Sequence, residues 1–129
     1  MKLIDTVAII GFLDPRDRLH KRSTEHLDGI AGHSADGTLV PTSSLIETDL
    51  LLKIMGYTES EREISWRAIE IKVANRIIAN SVSSITGAVS LQKNGMDYFD
   101  SLITSLARET GSKVITTDKS IARIGQVEW

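Results

Sequence analysis

The stretch from Met96 to Lys119 constrains the fold more than any other part of this sequence. Phe99, Leu102, Ile103, Leu106 and Ala107 recur at the spacing of one helix face, which predicts a helix from about residue 98 to residue 110. Gly111 supplies a left-handed stop, and Val114-Ile115-Thr116 reads as a short buried strand. Two acids bracket this unit. Asp100 lies in the first helical turn, about 60° around the axis from Ile103 and so beside the buried stripe. Asp118 falls two residues beyond the strand's last β-branched position, where α/β proteins place their sites. A helix–strand pair with a carboxylate at each end looks like half a metal site.

The chain opens in a similar way. A strand at 2–4 leads into a helix from about Thr6 to Leu13, stopped by Pro15. Asp5 then sits at a strand's carboxyl end and a helix's start, where an N-cap role alone would account for it. Residues 16–31 read as a second helix with Leu19, Leu27 and Ile30 inward. On it Arg18, Lys21 and Arg22 share one face, either as solvated surface or as phosphate contacts. His20, His26 and His33 show no metal-ligand spacing with an acid and read as surface or structural residues.

After a turn at Ala35-Asp36-Gly37 and a strand at 38–40, the next helix carries Glu47. A capping box from Ser44 is one account of it. The helical wheel argues otherwise, because the polar strip of this helix is Asp49–Lys53 and Glu47 points about 140° away from it. Flanked by Leu51 and Ile54, it reads as a lone carboxylate on a buried face, which is costly unless paired or bound to a metal.

Residues 59–79 carry two apolar stripes, Trp66, Ile69, Val73, Ile77 and Ile64, Ala68, Ile71, Ile78, although the alternation Ile69, Ile71, Val73 also suits a strand. A helix apolar on two sides has one side for the core and one for a partner. A short helix at 83–93, a turn at Asn94-Gly95 and a terminal segment with Ile121, Ile124 and an edge strand at 126–128 complete the reading. Strands separated by helices imply a three-layer α/β/α domain with a short parallel sheet covered on both faces, and 129 residues suit one domain, 1–129.

In such a sheet, residues just beyond the strand carboxyl ends converge. Asp5 and Asp118 stand there directly, Glu47 hangs from the helix after the second strand, and Asp100 from the helix feeding the last. Four carboxylates so placed cannot all stay ionised without strong repulsion. All-oxygen ligation suits a hard ion, Mg²⁺ or Mn²⁺, and such a site supports water attack on a phosphodiester. With no cysteine, thiolate zinc and disulfides are excluded. The absence of a long apolar run or a signal-peptide pattern makes a cytoplasmic protein without a membrane segment the expectation. A net charge of −2 argues against broad coating of nucleic acid, but not against a nucleic-acid enzyme with clustered acids.

Leu-Ile-Asp-Thr at the N-terminus, Ser-Ser-Leu-Ile-Glu ending at 47, Tyr-Phe-Asp-Ser-Leu-Ile at 98–103 and Ile-Thr-Thr-Asp-Lys at 115–119 resemble the motifs of PIN-domain ribonucleases. The closest look is to small stand-alone members such as the VapC toxins of toxin–antitoxin pairs. The four motifs span essentially the whole chain in the right order. The resemblance implies an endoribonuclease with Asp5, Glu47, Asp100 and Asp118 as its catalytic, metal-binding acids. Thr116 matches the Thr of a Thr-x-Asp motif, and Thr6 joins it as a supporting residue. Asp49 and Asp97 match nothing and read as surface charges. RNA is the expected substrate, with Lys119 and Arg123 as nearer contacts and Arg18, Lys21 and Arg22 as outer ones. A homodimer and an antitoxin protein are the expected partners, since the apolar surplus at 42–56 and 59–79 exceeds what one core needs. The rival is a PIN-fold protein that mainly binds a partner or RNA without cleaving. A phospho-acceptor receiver domain fits poorly, because Asp5 is followed by Thr6 rather than an acid and Glu47 would have no use.

Overall fold

The computed structural model describes residues 1–31, 37–73, 75–119, 121 and 127–128. The elements run β1 (Lys2–Ile4), α1 (Thr6–Leu13), α2 (His20–Ala31), β2 (Thr38–Pro41), α3 (Thr42–Ile54), α4 (Glu59–Val73), β3 (Ile77–Ile78), α5 (Val82–Lys93), α6 (Tyr98–Thr110), β4 (Lys113–Ile115) and β5 (Val127–Glu128). The five strands form one sheet in the order β3-β2-β1-β4-β5, and every pairing is parallel. Leu3 sits opposite Leu39 on one side and Val114 on the other.

Neighbouring strand residues are buried in opposite directions, as a sheet covered on both faces requires. Ile4, Val40 and Ile115 pack with Ala8 and Ile9 of α1, Leu27 and Ile30 of α2, and Ile69 and Val73 of α4. Leu3 and Val114 face the other way, onto Ile103, Leu106 and Ala107 of α6, together with Ile121. α5 packs outside α6 at a close approach: a Cβ on Gly87 would stand 2.4 Å from the Ser105 hydroxyl. This is the expected three-layer α/β/α arrangement. Among the described residues no helix is long and apolar enough to cross a membrane.

Several local expectations change. The second helix begins at His20 rather than 16, because Asp14 Oδ1 accepts the Arg16 N–H at 3.0 Å and Asp17 Oδ1 accepts the Leu19 N–H at 2.8 Å. These side-chain bonds offer the backbone an alternative to helix, so Arg18 stands in the preceding turn and shares no helix face with Lys21 and Arg22. The 59–79 stretch divides into a helix and a strand. Trp66, Ile69 and Val73 turn inward, Ile64 and Ile71 stay 70% and 82% exposed, and Ile77-Ile78 pair with β2. The last buried strand is shifted by one residue to Lys113–Ile115. No capping box forms on α3, whose cap position is Pro41, without a side-chain bond. His33, Ala35, Asp36, Arg123 and Ile124 lie outside the described residues.

Candidate functional site

Two threonines place two of the acids. Asp5 occupies the cap position of α1 in extended backbone but makes no cap hydrogen bond. Its Oδ2 accepts instead from Thr116 Oγ1 at 2.6 Å. The same Thr116 hydroxyl accepts the Asp118 N–H at 2.9 Å, so one side chain ties the end of β1 to the loop after β4. One residue along, Thr6 Oγ1 donates to Glu47 Oε1 at 2.5 Å, joining α1 to α3. Glu47 is half-buried, and its neighbours Leu51 and Ile54 are 37% and 78% exposed. The face expected to be sealed is therefore open, and the Thr6 bond rather than full burial orients the carboxylate.

The acids act on one another. Burial pushes Asp5 from 3.8 up to about 6, opposed by the Thr116 hydroxyl and the Thr6 N–H and reinforced by the charges of Glu47 and Asp118. Asp100, half-buried in the first turn of α6, is raised to about 7 by burial and then by Asp118, Asp5, Asp97 and Glu47. Glu47 is raised by burial, relieved by Thr6, and raised again by Asp97 and Asp118. The structure thus brings Asp5, Glu47, Asp100 and Asp118 to one edge of the sheet, the carboxyl edge of β1 and β4.

Two acids read as surface charges behave differently. Asp97 is exposed, but it holds the cap position of α6 without a cap bond, and its charge bears on both Glu47 and Asp100. The signal available in sequence was its i, i+3 relation to Asp100. Asp49 is a structural acid. It accepts from Trp66 Nε1 at 2.7 Å and from Arg62 Nη1 at 3.2 Å, pinning α4 to α3. Trp66 and Arg62, four residues apart on one helix, were the sign.

Among the described residues no three His, Cys, Asp or Glu side chains already stand at ligand spacing around one point. The donor set nevertheless fits a hard divalent cation. It is all oxygen, and the charges that raise Asp5, Glu47 and Asp100 are those a cation offsets. Of the expected cations, Lys119 is exposed one residue after Asp118, and Lys21 and Arg22 are exposed on α2. Arg18 lies nearer than expected. It lines a cleft of about 510 Å³ with Thr6, Val7, Ile10, Asp17, Leu19, Leu51 and Thr117, so the cleft starts at the threonines that flank the acids.

No curated protein matches the sequence significantly. Among solved structures, the fold is similar to FitAcB from Neisseria gonorrhoeae, with a TM-score of 0.71 and 18% identity over 99% of this chain and 97% of that one. VapBC2 from Rickettsia felis, bound to a DNA fragment from its promoter, gives 0.74 and 15% over 99% and 98%. PAE2754 from Pyrobaculum aerophilum gives 0.64 and 12% over 96% and 85%. At these identities the likeness concerns the fold. The PIN domain family matches the sequence itself over residues 2–127, and with the parallel sheet, its two helical layers and the acids at its carboxyl edge, this chain belongs to the PIN domain family.

Proposed function

We propose that this PIN-domain protein is a metal-dependent endoribonuclease of the cytoplasm in which Asp5, Glu47, Asp100 and Asp118 hold Mg²⁺ or Mn²⁺. The observation that carries this reading is the gathering of these acids at one sheet edge, where Asp5, Glu47 and Asp100 are raised first by burial and then by neighbouring acidic charges. When bound, a divalent ion would stabilise the negative charge on the phosphate and lower the pKa of a water for attack on the phosphodiester. The chain's own residues set the frame for that attack. Thr116 orients Asp5 and Thr6 orients Glu47. Asp5 and Asp100 hold protons up to about pH 6 and about pH 7, so below those values ion binding releases them and tightens as pH rises. The choice of RNA rests on the likeness of the four sequence motifs to PIN-domain ribonucleases. Lys119, Lys21 and Arg22, with Arg123, supply phosphate contacts outside the acidic pit.

Cleavage of RNA by the purified chain with Mn²⁺, with and without EDTA, tests this. Wild type should cut only when the ion is free, and Asp5→Asn should lose at least about a hundredfold in rate. Activity that survives both chelation and Asp5→Asn would overturn the mechanism.

A second reading, a binding module without significant cleavage, draws on a different observation. Ile46, Leu50 and Ile54 of α3 and Met55 at its cap are 46–78% exposed, a surface that a second copy or an antitoxin-like protein would cover. VapBC2, whose fold this chain shares, is a structure bound to promoter DNA, so an antitoxin partner is the expected heterologous one. Co-purification of a small protein with a chain that does not cleave would favour this reading.

A further inference from the structure

Beside the acidic edge, the cleft between α1, α3 and the turn before α2 has a composition unlike the pit. Val7 and Ile10 lie one helical turn apart on α1, and with Leu19 and Leu51 they make an apolar lining. Thr6 and Thr117 form the end nearest the acids, and Asp17 and Arg18 stand in the turn. The volume of about 510 Å³ is that of a small-molecule site. Apolar walls with a few polar groups are not what a phosphate backbone requires. They suit a flat aromatic ring with a hydrogen-bonding edge.

The polar groups specify that edge. Among the described residues Arg18 has no carboxylate partner, so its donors are available to a ligand. Asp17 uses Oδ1 to accept the Leu19 N–H, which leaves Oδ2 as an acceptor. Guanine offers partners for both: its O6 and N7 accept from an arginine, the commonest such pairing among the bases, and N1–H and N2–H₂ on its Watson–Crick edge donate to a carboxylate. A base inside a duplex cannot enter a concave cleft without leaving its stack, whereas single-stranded RNA presents unstacked bases and their pairing edges.

Resting on the ribonuclease reading, we infer that this cleft is a base subsite that receives an unpaired guanine adjoining the scissile phosphodiester, with Arg18 as the specificity-determining residue. Thr6 and Thr117 then lie where ribose passes from the cleft to the acids. Arg18 reads a base rather than sharing a phosphate face with Lys21 and Arg22, from which the turn at Asp17 separates it.

The test is cleavage of a random-sequence single-stranded RNA pool by the full chain with Mn²⁺, sequenced on both sides of each cut. Wild type should enrich guanine at one flanking position by at least about tenfold, the discrimination of a good arginine–guanine pair. Arg18→Ala should bring that enrichment below about threefold, and Leu51→Trp, which fills the cleft, should do the same. Both side chains are exposed, so neither change threatens folding. Even flanking composition, enrichment of another base, or guanine enrichment that persists in Arg18→Ala overturns the subsite. If wild type cuts no RNA, the ribonuclease reading fails separately, and titration of the metal-free protein with guanosine and cytidine decides the cleft. Guanosine should shift the amide resonances of Val7, Ile10 and Thr117 with at least about tenfold tighter binding than cytidine, lost in Arg18→Ala. Equal or absent shifts overturn it.

Discussion

Asp5 is where burial, hydrogen bonding and like charge meet. It is 4% exposed, holds one hydroxyl bond, and is still pushed from 3.8 up to about 6. In the unfolded chain this carboxyl ionises near 3.8, so between about pH 4 and pH 6 the folded state holds a proton that the unfolded state has released. Stability from protonated Asp5 is therefore full below about pH 4 and is lost as pH rises through about 6, with Asp100 adding the same sign up to about 7. For Asp5 the loss is on the order of 3 kcal/mol. Asp5→Asn keeps an acceptor for Thr116 and carries no charge, so the metal-free variant should melt several degrees above wild type near pH 7.5 and show a flatter pH profile. Thermal unfolding from about pH 4 to pH 8 in EDTA checks this. A second expectation follows by mass action: millimolar Mn²⁺ should raise the melting temperature of wild type, more at pH 8 than at pH 6, and raise that of Asp5→Asn little. A wild-type protein indifferent to Mn²⁺ at pH 8 would mean that the acids do not share an ion.

At the scale of elements, α6 was the most legible part of the chain and its surroundings explain why. Its apolar stripe and its left-handed stop at Gly111, with φ +66°, are local signals, and the helix spans Tyr98–Thr110 as its periodicity predicts. The acids at the ends of β1 and β4 were legible for a similar reason, since a short apolar strand announces its own carboxyl end. The start of α2 and strand β3 were not. The first depends on where Asp14 and Asp17 send their side chains, and the second on Val40 finding the Arg76 carbonyl at 2.7 Å, a pairing that helical periodicity masks. The bearing of Asp97 on the site, too, required knowing how α6 meets α3. Beyond its packing on the sheet, α6 is fixed by its contact with α5. Ser105 Oγ donates to the Ser84 carbonyl at 2.6 Å and lies where a Gly87 side chain would be. Gly87→Ala should force that hydroxyl off its acceptor and cost about 1–3 kcal/mol. In a Ser105→Ala background the added methyl meets only a Cβ at 3.6 Å, and the cost of Gly87→Ala should fall below about 0.5 kcal/mol. Denaturant melts of the four-member cycle measure the coupling. Additive single effects would show that the two helices adjust freely.

For the whole molecule, 17 acidic and 15 basic side chains nearly balance, so its association is governed less by net charge than by where apolar surface remains. That surface is concentrated on the helices whose composition exceeded the needs of one core. Ile46, Ile54, Ile64 and Ile71 are 54%, 78%, 70% and 82% exposed, while Leu52, Ile69 and Val73 on the same helices are buried. The core is thus complete without the outer stripes, and removing an outer residue should not unfold the chain. Self-association through α3 in a two-fold dimer would bury each such residue twice. Burying one isoleucine contributes about 1.5–3 kcal/mol, so the pair is worth on the order of a hundredfold or more in Kd. We expect the purified chain to dimerise at micromolar concentration, and Ile54→Lys to be monomeric at tens of micromolar with its melting temperature little changed at low protein concentration. Sedimentation velocity across a concentration series separates the outcomes. A wild-type monomer at every concentration would leave this surface to a different protein partner, and a dimer unaffected by Ile54→Lys would place the contact elsewhere on the molecule.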